Sequence, residues 1–184
     1  MVLRLSGAYR QRGTRQPGLK WILRAEVWAG CPFMRLFHTL LDDDPRSMVR
    51  LRNIGLSLRL RRPAQGYTLG GEEGTRKIYT GKFDASGEKY LYQAGRPYAC
   101  ESFGFETVFS GAAQGKHAQG WAAAGPLGLG VRHFWQQHPK ELAVTSKGLD
   151  AWLHTDRLGE FFWSEVPGIA KTHELLLTVG VAEP

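Results

Sequence analysis

Two short stretches gather the side chains of this chain that could do chemistry. The first is "VRHFWQQHPKEL", residues 131–142. It places Arg132, His133, His138, Lys140 and Glu141 beside Phe134 and Trp135. Aromatic rings among cations suit an acidic sugar: a ring face stacks on pyranose C–H groups, and Arg holds a carboxylate through two parallel hydrogen bonds. The same residues would equally serve an amphipathic strand, with Trp135 in the core and Arg132 at a turn. The second stretch is "GIAKTHELLLTV", residues 168–179. If it is a strand, Lys171, His173 and Leu175 share one face and Thr172 and Glu174 share the other. In one reading Lys171 and His173 face a cleft shared with Arg132 or Trp135, while Leu175 and Leu177 continue that face into the core. In the other, His173 is a buried, hydrogen-bonded structural histidine and Glu174 a surface acid.

Other chemistries lack their signatures. There is no phosphate loop, no Gly-rich dinucleotide fingerprint, no His-Glu-x-x-His and no Gly-x-Ser-x-Gly. Cys31 and Cys100 are too few and too far apart for a disulfide framework or a zinc site, and read as two small buried apolar residues. Asp42, Asp43 and Asp44 point in alternate directions in an extended chain and lack calcium-loop spacing, so they read as a solvated turn. No metal and no cofactor is expected.

The elements that would position these residues are strands. "LKWILRAEVWAG" alternates, with Trp21, Leu23, Ala25 and Val27 on one face and Arg24 and Glu26 on the other. "FMRLFHTLL" follows, then a turn at "LDDDPRS". "GLSLRLRRP" alternates again, setting Leu56, Leu58 and Leu60 against Ser57, Arg59 and Arg61. "RKIYTGKFDASGEKYLYQ" predicts two strands in a hairpin around Asp84–Gly87. "PYACESFGFETVFSG" is a further strand candidate, and the Gly- and Ala-rich run after it predicts a short strand at Trp121. "LAVTSKGLDAWLHT" predicts a hairpin through a three-residue turn, Ser146-Lys147-Gly148, with Gly148 in the left-handed position. The best helix candidate is "FWQQHPKEL", which Pro139 interrupts. The pattern predicts an all-β antiparallel β-sandwich, supersandwich-like, with Gly/Pro-rich loops and little helix.

The chain has 184 residues, enough for one domain with a sizeable core. No stretch approaches the about 20 apolar residues of a membrane helix, so no membrane partner is expected, and the N-terminal run is too polar for a signal peptide. The net charge of +7 is uneven. Residues 1–62 hold twelve arginines and one lysine against four acids, whereas residues 63–184 hold eleven basic and thirteen acidic side chains. A basic half can meet nucleic acid or an acidic polymer, or it can be the solvated face of Arg-rich strands. Arg59 and Arg61 alternate with leucines, but no aromatic-basic RNA-recognition signature accompanies them.

"GLGVRHFWQQHPKELAV" followed by "PGIAKTHELLLTV" resembles the exo-rhamnogalacturonan lyase family, the fungal exolyase and its bacterial YetA-like relatives. The upstream "LRAEVWAGCPFMRLFHTLLDDDP" and "VRLRNIGLSLRL" follow the same family's order, an aromatic-Ala-Gly strand, a His-Thr strand, an acidic turn and a Gly-Leu strand. The likeness spans about residues 19–180 and is weakest over about 64–120. It implies that residues 1–45 end a preceding β-barrel, that 46–184 form the β-sandwich, and that the family's helical toroid is not in this sequence. It implies a substrate class as well: pectic backbone, cut beside galacturonate by β-elimination. That reaction needs the uronate carboxylate neutralised by Arg, Lys or a metal, and a base such as His or Lys within hydrogen-bond reach of the adjacent proton. The resemblance assigns no catalytic residue. The expected substrate-binding set is Arg132, His133, Trp135, Lys140, Lys171 and His173. The expected partner is an acidic polysaccharide or oligosaccharide, met as part of a larger lyase whose helical catalytic domain lies elsewhere. A stand-alone carbohydrate-binding module and a basic nucleic-acid-binding β domain are the alternatives.

Overall fold

The computed structural model describes residues 1–10, 17–43, 49–83, 87–93, 98–102, 117–157, 162–164 and 168–180. Among them there are strands and no helix. In chain order these are β1 (Val2–Arg10), β2 (Pro17–Val27), β3 (Phe33–Asp42), β4 (Val49–Leu51), β5 (Ile54–Arg59), β6 (Gly66–Gly70), β7 (Ile78–Lys82), β8 (Lys89–Gln93), β9 (Tyr98–Ser102), β10 (Trp121–Ala124), β11 (Leu127–Val131), β12 (Lys140–Thr145), β13 (Gly148–His154), β14 (Phe162–Ser164) and β15 (Ile169–Val179). An eight-stranded sheet runs β1-β2-β3-β15-β11-β10-β6-β7, and a five-stranded sheet runs β5-β13-β12-β8-β9. Every pairing is antiparallel, and β14 and β4 make a separate ribbon. The two sheets pack face to face, as the period-2 patterns predict.

Alternation decides what lies between the sheets. Leu36, Leu69, Ala122, Leu129, Val131 and Leu175 of the large sheet meet Leu91, Leu142, Val144, Leu149 and Ala151 of the small one. Burying a side chain of this size is worth about 1.5–3 kcal/mol. Residues one place along each strand face away. Glu141, next to inward Lys140, turns to the outer face of the small sheet. It accepts hydrogen bonds there from Arg157 and from Thr155 Oγ1 (2.9 Å), and the Arg157 guanidinium lies 3.5 Å over the Tyr90 ring. Leu3 and Leu5 of β1 remain exposed, whereas Tyr9 near its end packs against Leu19, Leu40 and Ile54.

Several expectations are corrected by topology. Ile78–Lys82 and Lys89–Gln93 are both strands, but they are not a hairpin: β7 pairs with β6 in the large sheet and β8 with β12 in the small one. The segment crosses between layers, and its expected turn at Asp84–Ser86 lies outside the described residues. The run "FWQQHPKEL" is not helical. Residues 132–137 form consecutive turns, and Lys140 already belongs to β12. All of "FGFETVFSG" and residues 44–47 of the "LDDDPRS" turn lie outside the described residues; Leu41 and Asp42, expected in that solvated turn, instead end β3, where pairing with β15 leaves Asp42 buried. Cys31, expected to be buried, is exposed in the connection between β2 and β3. The β12–β13 hairpin is present, but Thr145 pairs with Gly148, leaving a two-residue turn of Ser146 and Lys147.

Gly148 is required there by close approach. Its φ is 151°, and a Cβ would stand 2.1 Å from the Leu58 carbonyl oxygen of neighbouring β5. Gly130 has no such neighbour: its nearest contact would be Trp121 Cβ at 3.8 Å. Gly148→Ala should therefore destabilise the fold by about 1–3 kcal/mol, whereas Gly130→Ala should change it by less than about 0.5 kcal/mol. Denaturant melts of the two variants check this. Equal midpoints would mean that β5 and β13 separate at no cost.

Candidate functional site

β15 runs through the middle of the large sheet and divides the candidate residues between its two faces. It pairs with β3 from Ile169↔Asp42 to Thr178↔Phe33. The alternation places Lys171, His173, Leu175 and Leu177 inward, and Thr172, Glu174 and Leu176 outward. Each face carries a separate cluster.

The inward cluster bridges the sheets. Lys140, fully buried at the start of β12, donates to His173 Nδ1 (2.9 Å) and to the Leu153 carbonyl (3.2 Å). His173 is register partner to His38 on β3, and Tyr9 of β1 reaches His38 Nε2 at 3.1 Å. Lys171 stands one inward position further along β15. Burial pushes the Lys140 amine down to about 7, with the Lys171 charge adding to it. His173 is lowered to about 2 by burial first and then by Lys140, Lys171 and His38. Burial likewise lowers His38 to about 4, lowers Lys171 and raises Tyr9. His173 is therefore neutral at pH 7. Accepting from Lys140 at Nδ1, it carries its proton on Nε2.

The outward cluster is ionic and aromatic. Glu174 accepts from Arg35 Nε (2.9 Å) and Nη2 (2.6 Å), and from Arg132 Nη1 (2.8 Å). These partners, Arg132 foremost, hold its carboxyl below the usual range. Arg24 and Arg35 lie over the Phe37 ring at 4.4 and 5.0 Å. Beside the Arg132–Glu174 pair, Trp121 has Gly130 as its register partner across β11. On its other side is Gly70, whose Cβ, if present, would sit 2.7 Å from the indole nitrogen. The indole N–H donates to Gln119 Oε1 (2.8 Å), and Gln119 is itself anchored to the carbonyls of Glu72 (2.9 Å) and Thr75 (2.8 Å). Trp121, Gly130, Arg132, Glu174 and Leu176 line a shallow depression of about 410 Å³.

The six expected binding residues thus separate. Lys140, Lys171 and His173 come together, between the sheets. Arg132 does not join them: it lies across β15 from His173, paired with Glu174. Trp135 is also elsewhere, stacked on the His117 ring at 3.6 Å. His133 is exposed in the turn at φ 54°. A cleft shared by Lys171, His173 and Arg132 or Trp135 is not formed, because the partner that reaches His173 comes from the opposite sheet. Trp121, Gln119 and Arg35 were not singled out by sequence. Their signal, glycines flanking a tryptophan across strands, exists only once the register is known.

No protein-family model matches this chain, and no curated protein matches it. Among solved structures it is similar to a putative aldose 1-epimerase from Escherichia coli K12, at 11% identity and a TM-score of 0.41. That alignment covers 97% of this chain, which spans 65% of the length of the other. A likeness at this score carries no argument about what this chain does. The fold and its two clusters define an antiparallel β-sandwich with a basic-aromatic outer face and a buried Lys–His bridge between its sheets.

The buried bridge sets a pH dependence. Lys140 titrates near 7 in the fold against an ordinary 10.5, so between those values the unfolded chain binds more protons. Stability therefore rises with pH across that window and is lost as pH falls toward 7. His38, near 4 against an ordinary 6.5, extends the loss on the acid side. Thermal melts from pH 7 to pH 10 should show a rising midpoint in the wild type and a flatter one in Lys140→Met. A Lys140→Met slope equal to wild type would exclude the amine as its source. His173→Ala should cost about 1–3 kcal/mol by removing the acceptor of a buried amine.

Proposed function

We propose that this chain is a carbohydrate-binding β-sandwich that takes an acidic pectic polysaccharide on the outward face of its large sheet. In the finer reading it is the sandwich part of a β-eliminating lyase related to rhamnogalacturonan exolyases. The observation that carries the proposal is the Arg132–Glu174 pair. The two stretches that bear the family resemblance lie about forty residues apart in sequence and meet there, beside Trp121.

The chemistry of the depression supports an acidic sugar. Trp121 offers a ring to pyranose C–H groups. Arg132 is mostly exposed and can exchange one Glu174 oxygen for a uronate carboxylate. Glu174, held ionised by Arg35 as well, can accept from sugar hydroxyls. The arginines would neutralise the carboxylate whose adjacent proton β-elimination removes. The base for that step is not supplied by Lys140 or His173, which are shut between the sheets, so catalysis belongs to another part of the larger protein. This assigns the chain a binding and orienting role.

The nucleic-acid reading loses part of its support. Arginines of the basic first part of the chain are paired with acids of the second: Arg35 with Glu174, Arg59 with Asp150 and Arg52 with Asp156. Titration of the protein with oligogalacturonate, a neutral glucan and single-stranded DNA separates the readings. The uronate oligomer should bind tightest and weaken with salt, since exposed charges are screened within about 8–10 Å. Arg132→Ala should weaken it about three- to tenfold without lowering the melting temperature. Equal affinity for neutral glucan would favour a module without acid selectivity. Tightest binding to DNA would sink the sugar assignment.

A further inference from the structure

A second and larger depression lies on the same sheet, about 660 Å³ in volume, at the β6–β7 end. Thr68, Thr80, Lys82 and Ala123 line it, with Gly66 and Pro126 at its margin. Register places its Thr68, Thr80, Lys82 and Ala123 on the same face as the Trp121 depression, while Ala64 and Tyr67, at the end of the sheet, line it from the core side. Thr80 pairs with Thr68, Thr68 with Ala123, Ala123 with Gly128, and Gly128 with Thr178. Ala123 follows Trp121 by two residues on β10, so both face outward.

We propose that the two depressions are the ends of one track that holds an acidic oligosaccharide diagonally across β15, β11, β10, β6 and β7. The inference rests on the sugar-binding reading and extends it from one subsite to several. Three observations support it. Four strand spacings separate β15 from β7, about 19 Å, which accommodates several sugar rings. The outward positions between the ends are Gly130, Trp121, Gly70, Ala123, Gly128 and Thr178, none of them charged, so an anionic chain meets no carboxylate on the way. A cation stands at each end, Arg132 at one and exposed Lys82 at the other. Half-buried Trp121 lies near the middle, its ring laid over Gly70, and exposed Leu176 and Ile78 lie in the same row.

The track predicts a length dependence that a single subsite would not show. Calorimetric titration with di-, tetra- and hexagalacturonate should give affinity rising from dimer to hexamer. Lys82→Ala should weaken the hexamer about two- to fivefold, as loss of one exposed ion pair does, and leave the dimer unchanged. Ala123→Gln, which puts bulk between the two ends, should act on the longer oligomers alone. Arg132→Ala should weaken every length. Equal affinity for all lengths, or a hexamer insensitive to both Lys82→Ala and Ala123→Gln, would overturn the track while leaving the Trp121 subsite in place. No binding of any length by the folded wild type would overturn both.

Discussion

The pairing of β15 with β3 is the constraint on which the rest of the molecule depends. Side chains alternate along a strand, so the register between these two decides which residues enter the core and which face solvent. In the observed register His173 stands beside His38 under the second sheet, and Glu174 stands between Arg35 and Arg132 above it. A slip of one residue would bury a carboxylate beside Leu36 and expose the imidazole. Both outcomes are costly, which makes the register strongly specified. The Lys140–His173 bond reinforces it from the opposite layer.

That bond is a compromise within the core. A buried amine is costly to keep charged, and its lowered proton affinity is the response. The cost is limited because Lys140 has two acceptors, the His173 imidazole and the Leu153 backbone carbonyl. The imidazole is neutral for the same reason and so can accept. The pair therefore ties β12 to β15 across the sandwich, where leucines alone would pack without specifying partners.

The surface organisation follows a different rule. Part of the arginine excess in the first part of the chain is paired with acids of the second. Strands from that part lie beside strands from the second part, and Arg35, Arg52 and Arg59 find acids there. Each exposed pair adds little stability, about 0–1 kcal/mol. Together they offset three of the excess positive charges of the first part, and Arg132 and Lys82 stand at the two ends of an outward strip that carries no carboxylate between them.

The sequence by itself determined the layers. Period-2 alternation in "LKWILRAEVWAG", "GLSLRLRRP" and "KTHELLLTV" is a consequence of extended-chain geometry, which is local, so strands and their apolar faces could be read directly. The split between His173 and Glu174 was legible for the same reason. Only the tertiary structure decided which strands are neighbours. Ile78–Lys82 and Lys89–Gln93, close in sequence, lie in opposite sheets, while Lys140 and His173, thirty-three residues apart, touch. Trp121 gained its glycine flanks, and Arg132 its Glu174, through pairings that alternation does not encode. Contacts of this kind come from long-range register, set by the fit of whole sheets rather than by any stretch of chain.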